Sequence, residues 1–349
     1  MSPLQHSGHD DQLVSDELGA HSLPEKLEEL SLLKFQRFVQ GSDEPKWVRV
    51  WNEVYGKRWD NNPMTVREFS ALEKHPEFEA DGRFIAMFDG KPVGIVHAYV
   101  DKRREEKKGF VSNFAVRPKF RGQGIEQEIA KKALEELEKK GMKIVQTSTD
   151  SNQKDIIRMW KSLGFKLARK ISIMTANLAT LPSGIKENSE VELKPLRRDA
   201  DEDLKILNWL SNESFKEHFN HRPDPIESTT YFVRKDPFFT IQEWFFAMLN
   251  GKHVGFVGTG IEESYNKARN AKVGWITSIG VLKSHRQTGI GTKLILQGMN
   301  LLKHMGMTTA RLAVDDWNVT KAIQLYGKVG FKVARKEIFY EKDLACARL

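Results

Sequence analysis

The sequence predicts an α/β chain in which one mixed domain is written twice, and three observations carry that expectation. The first is an internal repeat. Gly164-Phe165-Lys166-Leu167-Ala168-Arg169-Lys170 returns as Gly330-Phe331-Lys332-Val333-Ala334-Arg335-Lys336, 166 residues on. Gly141-Met142 returns as Gly306-Met307, and Arg121, Gly124 and Ile125 return as Arg286, Gly289 and Ile290, each 165 residues on. Trp51 to Tyr55 finds a weaker echo in Ser211 to Phe215, at an offset of 160. Collinear blocks at so long a period mean a tandem of domains rather than a solenoid. The second observation is a hairpin signature in each copy, Asp89-Gly90 and Asn250-Gly251, set between apolar runs. Both turn residues of such a hairpin need positive φ, which these residue types accept. The third is that strand-like alternation and helical periodicity follow each other in the same order in both copies.

The elements can be read in that order. A short alternating strand opens each copy, Leu32 to Val39 and Val191 to Leu196, and amphipathic helices follow near Lys46 to Tyr55 and Glu202 to Phe215. The hairpins pair Phe84 to Phe88 with Val93 to Val100, and Trp244 to Leu249 with Val254 to Gly260. In the second copy a strand over Gly274 to Val281 runs into a glycine-containing turn and a helical pattern over Thr292 to Met305. Arg311 to Val314, Val319 to Val329 and Phe331 to Phe339 then read as strand, helix and a strand closing the unit. The cluster Leu181-Pro182-Ser183-Gly184, followed by the polar Lys186 to Glu190, reads as a linker. The expected organisation is a flexible tail over 1–29, a first domain over 30–180, a linker over 181–189 and a second domain over 190–349.

Composition bounds the class. At ~150 residues per domain, 349 residues suit two domains. The chain is 40% apolar, 29% charged and 10% aromatic, the mix of a globular protein able to bury a core. No apolar run approaches the ~20 residues that span a bilayer. The single cysteine, Cys346, can form no internal disulfide and no thiolate metal centre, which fits a reducing cytoplasmic setting without metal. Met1 to Leu23 is polar and lacks the apolar segment of a secretory signal. Fifty-five Lys and Arg against 47 Asp and Glu leave a net charge of +8, which permits an anionic partner. The basic residues are dispersed, with no aromatic RNA-binding motif among them, so nucleic acid is not expected. Lys102 to Lys108 reads as a solvated hairpin loop, and the aromatic run Tyr231, Phe232, Phe238, Phe239, Trp244, Phe245 and Phe246 reads as core.

The stretch Ile279 to Thr292 carries the most chemistry. A β-branched strand ends in a short loop and a helix begins at two glycines, Gly289 and Gly291. The first amides of a helix lack internal partners and the helix dipole favours negative charge there, so such a turn can grip a pyrophosphate, with Arg286 as an added donor. A tight strand-to-helix turn alone would also call for the glycines. Neither a Walker loop nor a dinucleotide fingerprint fits the spacing.

The motif Arg286-x-x-Gly289-x-Gly291, after a strand ending in Val281, resembles the acyl-CoA signature of the GCN5-related N-acetyltransferase (GNAT) superfamily. Asp315-Asp316-Trp317-Asn318, then Ala322 and Leu325-Tyr326-Gly327-Lys328-Val329-Gly330-Phe331, resembles that superfamily's Asn…Ala…Leu-Tyr…Gly-Phe block. The resemblance spans both copies. It implies two tandem GNAT-type domains, each a mixed, mostly antiparallel sheet with helices on both faces, acting on acetyl-CoA and an amine acceptor. It implies that amides over Gln287, Thr288, Gly289, Ile290 and Gly291 hold the pyrophosphate. Ile279 and Val281 would pair with the pantetheine arm, Asn318 would bond CoA, and Tyr326 would protonate the leaving thiolate. Packing beside Leu325 is the other reading of Tyr326.

The first copy departs from this pattern. Glu126 stands where the second copy has Gly291, and Trp160 stands where it has Tyr326. A carboxylate suits a diphosphate site badly and an indole N–H is a poor acid, so the first copy is expected to be catalytically silent. A silent first half before an active second half resembles the mycothiol synthase type of double-domain GNAT protein. The carboxylate that can serve as base in that type has no counterpart here, where Trp275, Thr277 and Ser278 occupy the strand. Glu213, Glu217, His218 and His221 are the candidate bases and acceptor contacts. The resulting expectation is direct acetyl transfer from acetyl-CoA to a primary amine, most simply that of a small molecule. A protein lysine or N-terminal acetyltransferase and a non-enzymatic acyl-CoA-binding module are the competing readings.

Overall fold

A computed structural model describes residues 32–344, apart from 57, 59, 60, 62, 182, 183, 186, 187, 319 and 320. The expected tail over 1–29, Pro182 and Ser183 of the expected linker, the start of the helix expected from Val319, and Cys346 lie outside the described residues.

The first half runs β1 (Leu33–Arg37), α1 (Glu44–Val54), α2 (Val66–Leu72), β2 (Arg83–Phe88), β3 (Lys91–Val100), β4 (Lys108–Val116), α3 (Ile125–Lys139), β5 (Ile144–Asp150), α4 (Lys154–Ser162) and β6 (Lys166–Asn177). The second half runs β7 (Glu192–Pro195), α5 (Asp201–Phe215), α6 (Ile226–Lys235), β8 (Ile241–Leu249), β9 (Lys252–Ile261), α7 (Glu263–Arg269), β10 (Val273–Val281), α8 (Ile290–His304), β11 (Thr309–Asp315), α9 (Ala322–Lys328) and β12 (Lys332–Asp343). The hairpin turns have the expected chemistry: φ is +47° and +68° at Asp89 and Gly90, and +51° and +73° at Asn250 and Gly251.

Period-two alternation buries both faces of each half-sheet. Phe84 packs with Ile129 and Ala133 of α3, whereas its neighbour Ile85 packs with Trp47 and Val48 of α1. In the second half Ala247 and Val257 meet Leu294 and Ile295 of α8, and Phe246 and Phe256 meet Leu204 and Leu207 of α5. Successive strand residues point to opposite faces, so these contacts put helices on both sides of the sheet. Parallel pairing occurs in two places, β4 with β5 and β10 with β11; the remaining strand pairs are antiparallel.

The halves do not close separately. All twelve strands form one sheet in the order β1-β2-β3-β4-β5-β12-β6-β11-β10-β9-β8-β7. The last strand of the chain, β12, lies between β5 and β6 of the first half, from Glu337 opposite Asp150 to Asp343 opposite Ile144. Reciprocally, β6 pairs with β11, from Thr309 opposite Asn177 to Asp315 opposite Ile171. A strand that finishes its own unit is what the repeat suggests. The two closing strands share their opening Lys-x-Ala-Arg-Lys and then diverge, and the exchange gives both strands partners on two edges.

Lys102 to Lys108 is not the wholly solvated loop expected from composition. The Arg104 guanidinium is buried and donates to the backbone carbonyl of Asn220, while Lys108 reaches Glu341 at 2.5 Å and the Asn220 side chain at 2.9 Å. The loop is a seam between the halves.

Among the described residues no helix is long and apolar enough to cross a membrane. The exchanged strands set a clear expectation for truncation. A fragment of residues 190–349 retains β11 and β12 but lacks β5 and β6, leaving both edges of β12 and one of β11 unpaired. It is expected to lose its cooperative thermal transition by circular dichroism and to regain it when co-expressed with residues 30–189. A monomeric fragment melting sharply at the temperature of the full chain would show that strand exchange does not hold the halves.

Candidate active site

The site grows out of a failure of pairing. β10 and β11 run parallel from Val273 opposite Thr309 to Trp275 opposite Arg311, and then part. On its other edge β10 stays bonded to β9, with a register shift between Ile276 and Ser278 that turns the strand away. Beyond Trp275 one edge of β10 therefore has no strand partner and faces a cleft, and a ligand can occupy it as an added strand would.

At the end of β10 a 3₁₀ turn, Lys283–His285, leads through Arg286 into α8. Gln287 and Gly289 take the left-handed conformation, at φ +64° and +84°. The helix opens at Gly289 with no side-chain cap, so its first amides remain available to an anion. Arg286 braces this loop: Nε donates to the Val281 carbonyl at 3.1 Å, Nη2 to the Ser214 carbonyl at 2.8 Å, and Nη1 meets Glu217 at 3.0 Å. Its guanidinium is thus spent on shaping the turn. Thr288 donates to the His285 carbonyl at 2.7 Å. The side chain of Ile290 is buried in the core, leaving its backbone amide as what it can offer.

A groove of about 560 Å³ follows this edge and turn, and is lined by Ile279, Val281, Arg286, Gln287, Gly291 and Asn318 among others. Tyr326 closes its inner end and also lines a second, larger cavity of about 1180 Å³. Tyr326 is 7% exposed and packs edge-on to Phe331 at 6.1 Å. Burial alone pushes its phenol well above the ordinary value, so it holds its proton at neutral pH. Its hydroxyl has no hydrogen-bond partner among the described residues. His218 also lines both spaces, and burial, followed by the charge of Arg286, keeps its imidazole below its usual 6.5 and therefore neutral. His221 lines the larger cavity, Glu217 lines the groove as the partner of Lys283 and Arg286, and Glu213 lines neither.

The larger cavity is what the sequence concealed. Glu77, Tyr99, Asp101, Phe110 and Gln146 reach it from the first half, and Phe339 arrives on the exchanged β12. Pairing across the two halves has no signature in local periodicity. Within the aromatic run read as core, Trp244 and Phe246 are buried as expected, but Phe232 and Phe239 line this cavity. Thr277, at the register shift of β10, lines it too, with its Oγ1 buried and unpartnered.

The corresponding cleft of the first half is smaller, a cavity of about 310 Å³ crossed by its own polar groups. β4 and β5 pair in parallel from Lys108 opposite Ile144 to Val111 opposite Thr147 and then part, as β10 and β11 do. Here the Tyr55 hydroxyl donates to the Phe114 carbonyl at 2.6 Å, at the position equivalent to Ile279. Arg58 and Arg335 meet Asp150 across the cleft at 3.0 Å and 3.3 Å. The Glu126 carboxylate accepts the Gly122 amide at 3.2 Å, occupying the anion cradle of its own loop. Trp160 is fully buried against Phe114 and Phe165, and its Nε1 is unpartnered.

A split parallel pair beside an uncapped helix N-terminus defines an acyl-CoA-binding type of fold, and comparison with known proteins agrees. The model of the acetyltransferase (GNAT) family matches residues 45–165 and 204–331, and the chain belongs to that family. It is 26% identical over 277 residues to a mycothiol acetyltransferase of Actinosynnema mirum, covering 79% of this chain and 88% of that protein. The match to the mycothiol acetyltransferase of Streptomyces coelicolor, 27% identical over 132 residues, spans 37% of this chain and 41% of that protein. Among solved structures, a GCN5-related N-acetyltransferase from Sphaerobacter thermophilus aligns with a TM-score of 0.65 at 20% identity, over 89% of this chain and 95% of that one. A tandem GNAT protein from the clavulanic acid biosynthesis pathway aligns with a TM-score of 0.67 at 14% identity, over 89% and 98%.

The contrast between the two anion turns is testable. A Cβ at Gly291 would meet only Leu325, at 3.3 Å, so a side chain there is tolerable to the fold. Gly291→Glu is expected to fold its carboxylate back onto the Gln287 amide, as Glu126 does onto Gly122. Titration calorimetry should then find CoA bound at least ~100-fold more weakly, since a like charge set against the diphosphate costs several kcal/mol. Unchanged affinity would move the CoA site elsewhere.

Proposed function

We propose that the chain transfers the acetyl group of acetyl-CoA to the primary amine of a small molecule, with the chemistry in the second half. The carrying observation is Tyr326, a protonated phenol with no hydrogen-bond partner among the described residues, at the junction of the groove and the larger cavity.

The diphosphate of CoA would lie on the uncapped first amides of α8, and the pantetheine arm along the free edge of β10, beside Ile279, Val281 and Asn318. That route delivers the thioester to Tyr326. The acceptor enters from the larger cavity, so the two substrates meet in one site and the entropy of a bimolecular encounter is removed beforehand. The acceptor nitrogen adds to the thioester carbonyl and forms the C–N bond, and backbone amides of the strand edge stabilise the oxyanion. As the C–S bond breaks, Tyr326 gives its proton to the departing sulfur. Neutral His218 takes the proton lost by the nitrogen, directly or through water. No covalent acyl-enzyme is needed. The first half, with Glu126 in its anion cradle and Tyr55 on its strand edge, takes no part in chemistry and walls the acceptor cavity.

Tyr326→Phe keeps the ring and removes the acid. Acetyl-CoA affinity is expected to be unchanged while kcat falls ~10²- to 10⁴-fold, less for thioesters with more acidic thiols. Trp160→Phe is expected to leave kcat near that of the natural chain. Equal losses in two folded variants would overturn the assignment of the active half.

The base sets the pH dependence. Burial lowers the pKa of His218, so its neutral form persists below pH 6.5 and is lost only as the pH falls through that depressed value. With acceptor saturating, kcat is expected to show an acid limb with its midpoint below 6.5, and His218→Gln should abolish that limb. A limb that survives the substitution assigns the base to another group, with His221 next in place.

A further inference from the structure

The acceptor cavity has a composition that narrows what it can hold. Its charges are settled among themselves. Arg222 meets Glu77 at 2.8 Å, Asp101 at 2.6 Å and Asp224 at 3.0 Å, and Lys102 meets Glu79 at 2.8 Å. Arg103 and Glu77 are 3.0 Å apart, Arg104 and Asp101 3.2 Å, and Asp315 and Arg169 2.9 Å. Every described charged side chain on the wall is thereby paired within 3.2 Å. Among the described residues, a phosphate or carboxylate on the ligand finds no unmatched cation, and an ammonium other than the reacting one finds no unmatched carboxylate. Breaking the partly buried pairs, Arg222 with Glu77 and Asp101 and Arg104 with Asp101, would strand the other partner.

Beside the polar Asn220, Thr277 and Ser278, the wall carries a large ring surface. Tyr99 and Phe110 stack at 5.2 Å and 19°, and Phe219 stands edge-on to Phe339 at 5.9 Å. Trp275 completes the set on β10. Such surfaces reward a flat apolar body. They leave the hydroxyls of a sugar or the backbone of a peptide without partners, at a cost for each polar group buried unpaired. Two neutral side chains among the described wall residues, Thr277 and Gln146, have a buried polar atom without a hydrogen bond, and Gln146 is the one supplied by the first half. Gln146, on β5 opposite Phe110, is 4% exposed, and its Oε1 has no hydrogen bond. A buried amide of that kind is completed by a ligand group of matching polarity.

Resting on the acetyltransferase reading above, we infer that the acceptor is a primary amine carried on an aromatic body whose polar substituent hydrogen-bonds Gln146. The silent first half would then determine which amine is acetylated, with Tyr99 and Phe110 holding the ring and Gln146 selecting its substituent. Gln146 is a specificity residue in this scheme; it touches the distal end of the acceptor, and bond-making is left to Tyr326 and His218.

Tyramine, phenethylamine, glucosamine and a lysine-containing peptide, each offered with saturating acetyl-CoA and followed by thiol release, test the inference. Tyramine is expected to have the highest kcat/KM and phenethylamine the next, about tenfold lower for one missing hydrogen bond, with the sugar and the peptide below both. In Gln146→Leu, the KM for tyramine should rise to that for phenethylamine while kcat changes little, a split that a general loss of packing would not produce. Should that variant fail to fold, the ranking of the four acceptors by the natural chain and calorimetric binding of tyramine to its CoA complex decide alone. Glucosamine or the peptide as the best acceptor would overturn the inference and leave the acetyltransferase reading standing. A tyramine preference untouched by Gln146→Leu would also overturn it. If none of the amines is acetylated although CoA binds the groove, the acetyltransferase reading falls and the inference with it.

Discussion

A strand in the middle of a sheet must find hydrogen-bond partners along both edges, and in this chain β6 and β12 find theirs in opposite halves. Everything else is arranged around that exchange. With β12 seated between β5 and β6, and β6 between β12 and β11, the two units share one sheet and cannot rotate against each other. The exchange also carries side chains across. Phe339 and Glu341 ride on β12 to the seam, where Glu341 meets Lys108 and Phe339 joins the wall of the larger cavity. A cavity whose lining comes from two domains normally depends on how those domains happen to be set. Here continuous backbone hydrogen bonding sets them.

The same sheet opens where pairing stops. Each half contains one parallel pair that holds for a few residues and then splays, and the antiparallel strand on the far side stays paired through a register shift. Because the duplicated geometry is so similar, the difference between the halves is carried by few side chains. Gly291 leaves the anion turn of α8 open, whereas Glu126 supplies an anion to the turn of α3 from within. Phe215 leaves the edge of β10 free, whereas Tyr55, at the equivalent position, bonds the Phe114 carbonyl. Tyr326 faces two spaces, whereas Trp160 is sealed between Phe114 and Phe165. The first half has not lost its cleft; its own polar groups occupy the anion turn and part of the strand edge, and a cavity of about 310 Å³ remains.

Much of this was legible in the residues, and what was not has a common physical cause. The repeat, the type of hairpin turn and the order of elements follow from local rules, so β2, β3, β8 and β9 and the helices α1, α5 and α8 fall within a few residues of their expected limits. The glycine turn before α8 was legible for the same reason. Strand exchange was not, because both closing strands begin on the same Lys-x-Ala-Arg-Lys run and nothing local says which neighbour each will choose. The burial of Arg104 and Lys108 and the cavity-facing positions of Phe232 and Phe239 depend on that choice. A charged loop or an aromatic run reads the same whether the other half lies against it or not.

If the first half does no chemistry, as proposed, its retention calls for a reason, and the cavity it shares with the second half supplies one. The splayed edge of β10 can hold a long, thin ligand unaided, since a strand edge and a helix N-terminus suffice for a pantetheine arm and a diphosphate. It cannot by itself enclose a small second substrate. Enclosure needs a wall opposite β10 and β11, and that wall is built from the β3–β4 seam and β5 of the first half. On the proposed reading, Glu126 and Trp160 stand where the first half does no chemistry, whereas Tyr99, Phe110 and Gln146 face the cavity shared with the second half. The first half would then be the part of the site that discriminates, and the exchanged strands hold it against the second half.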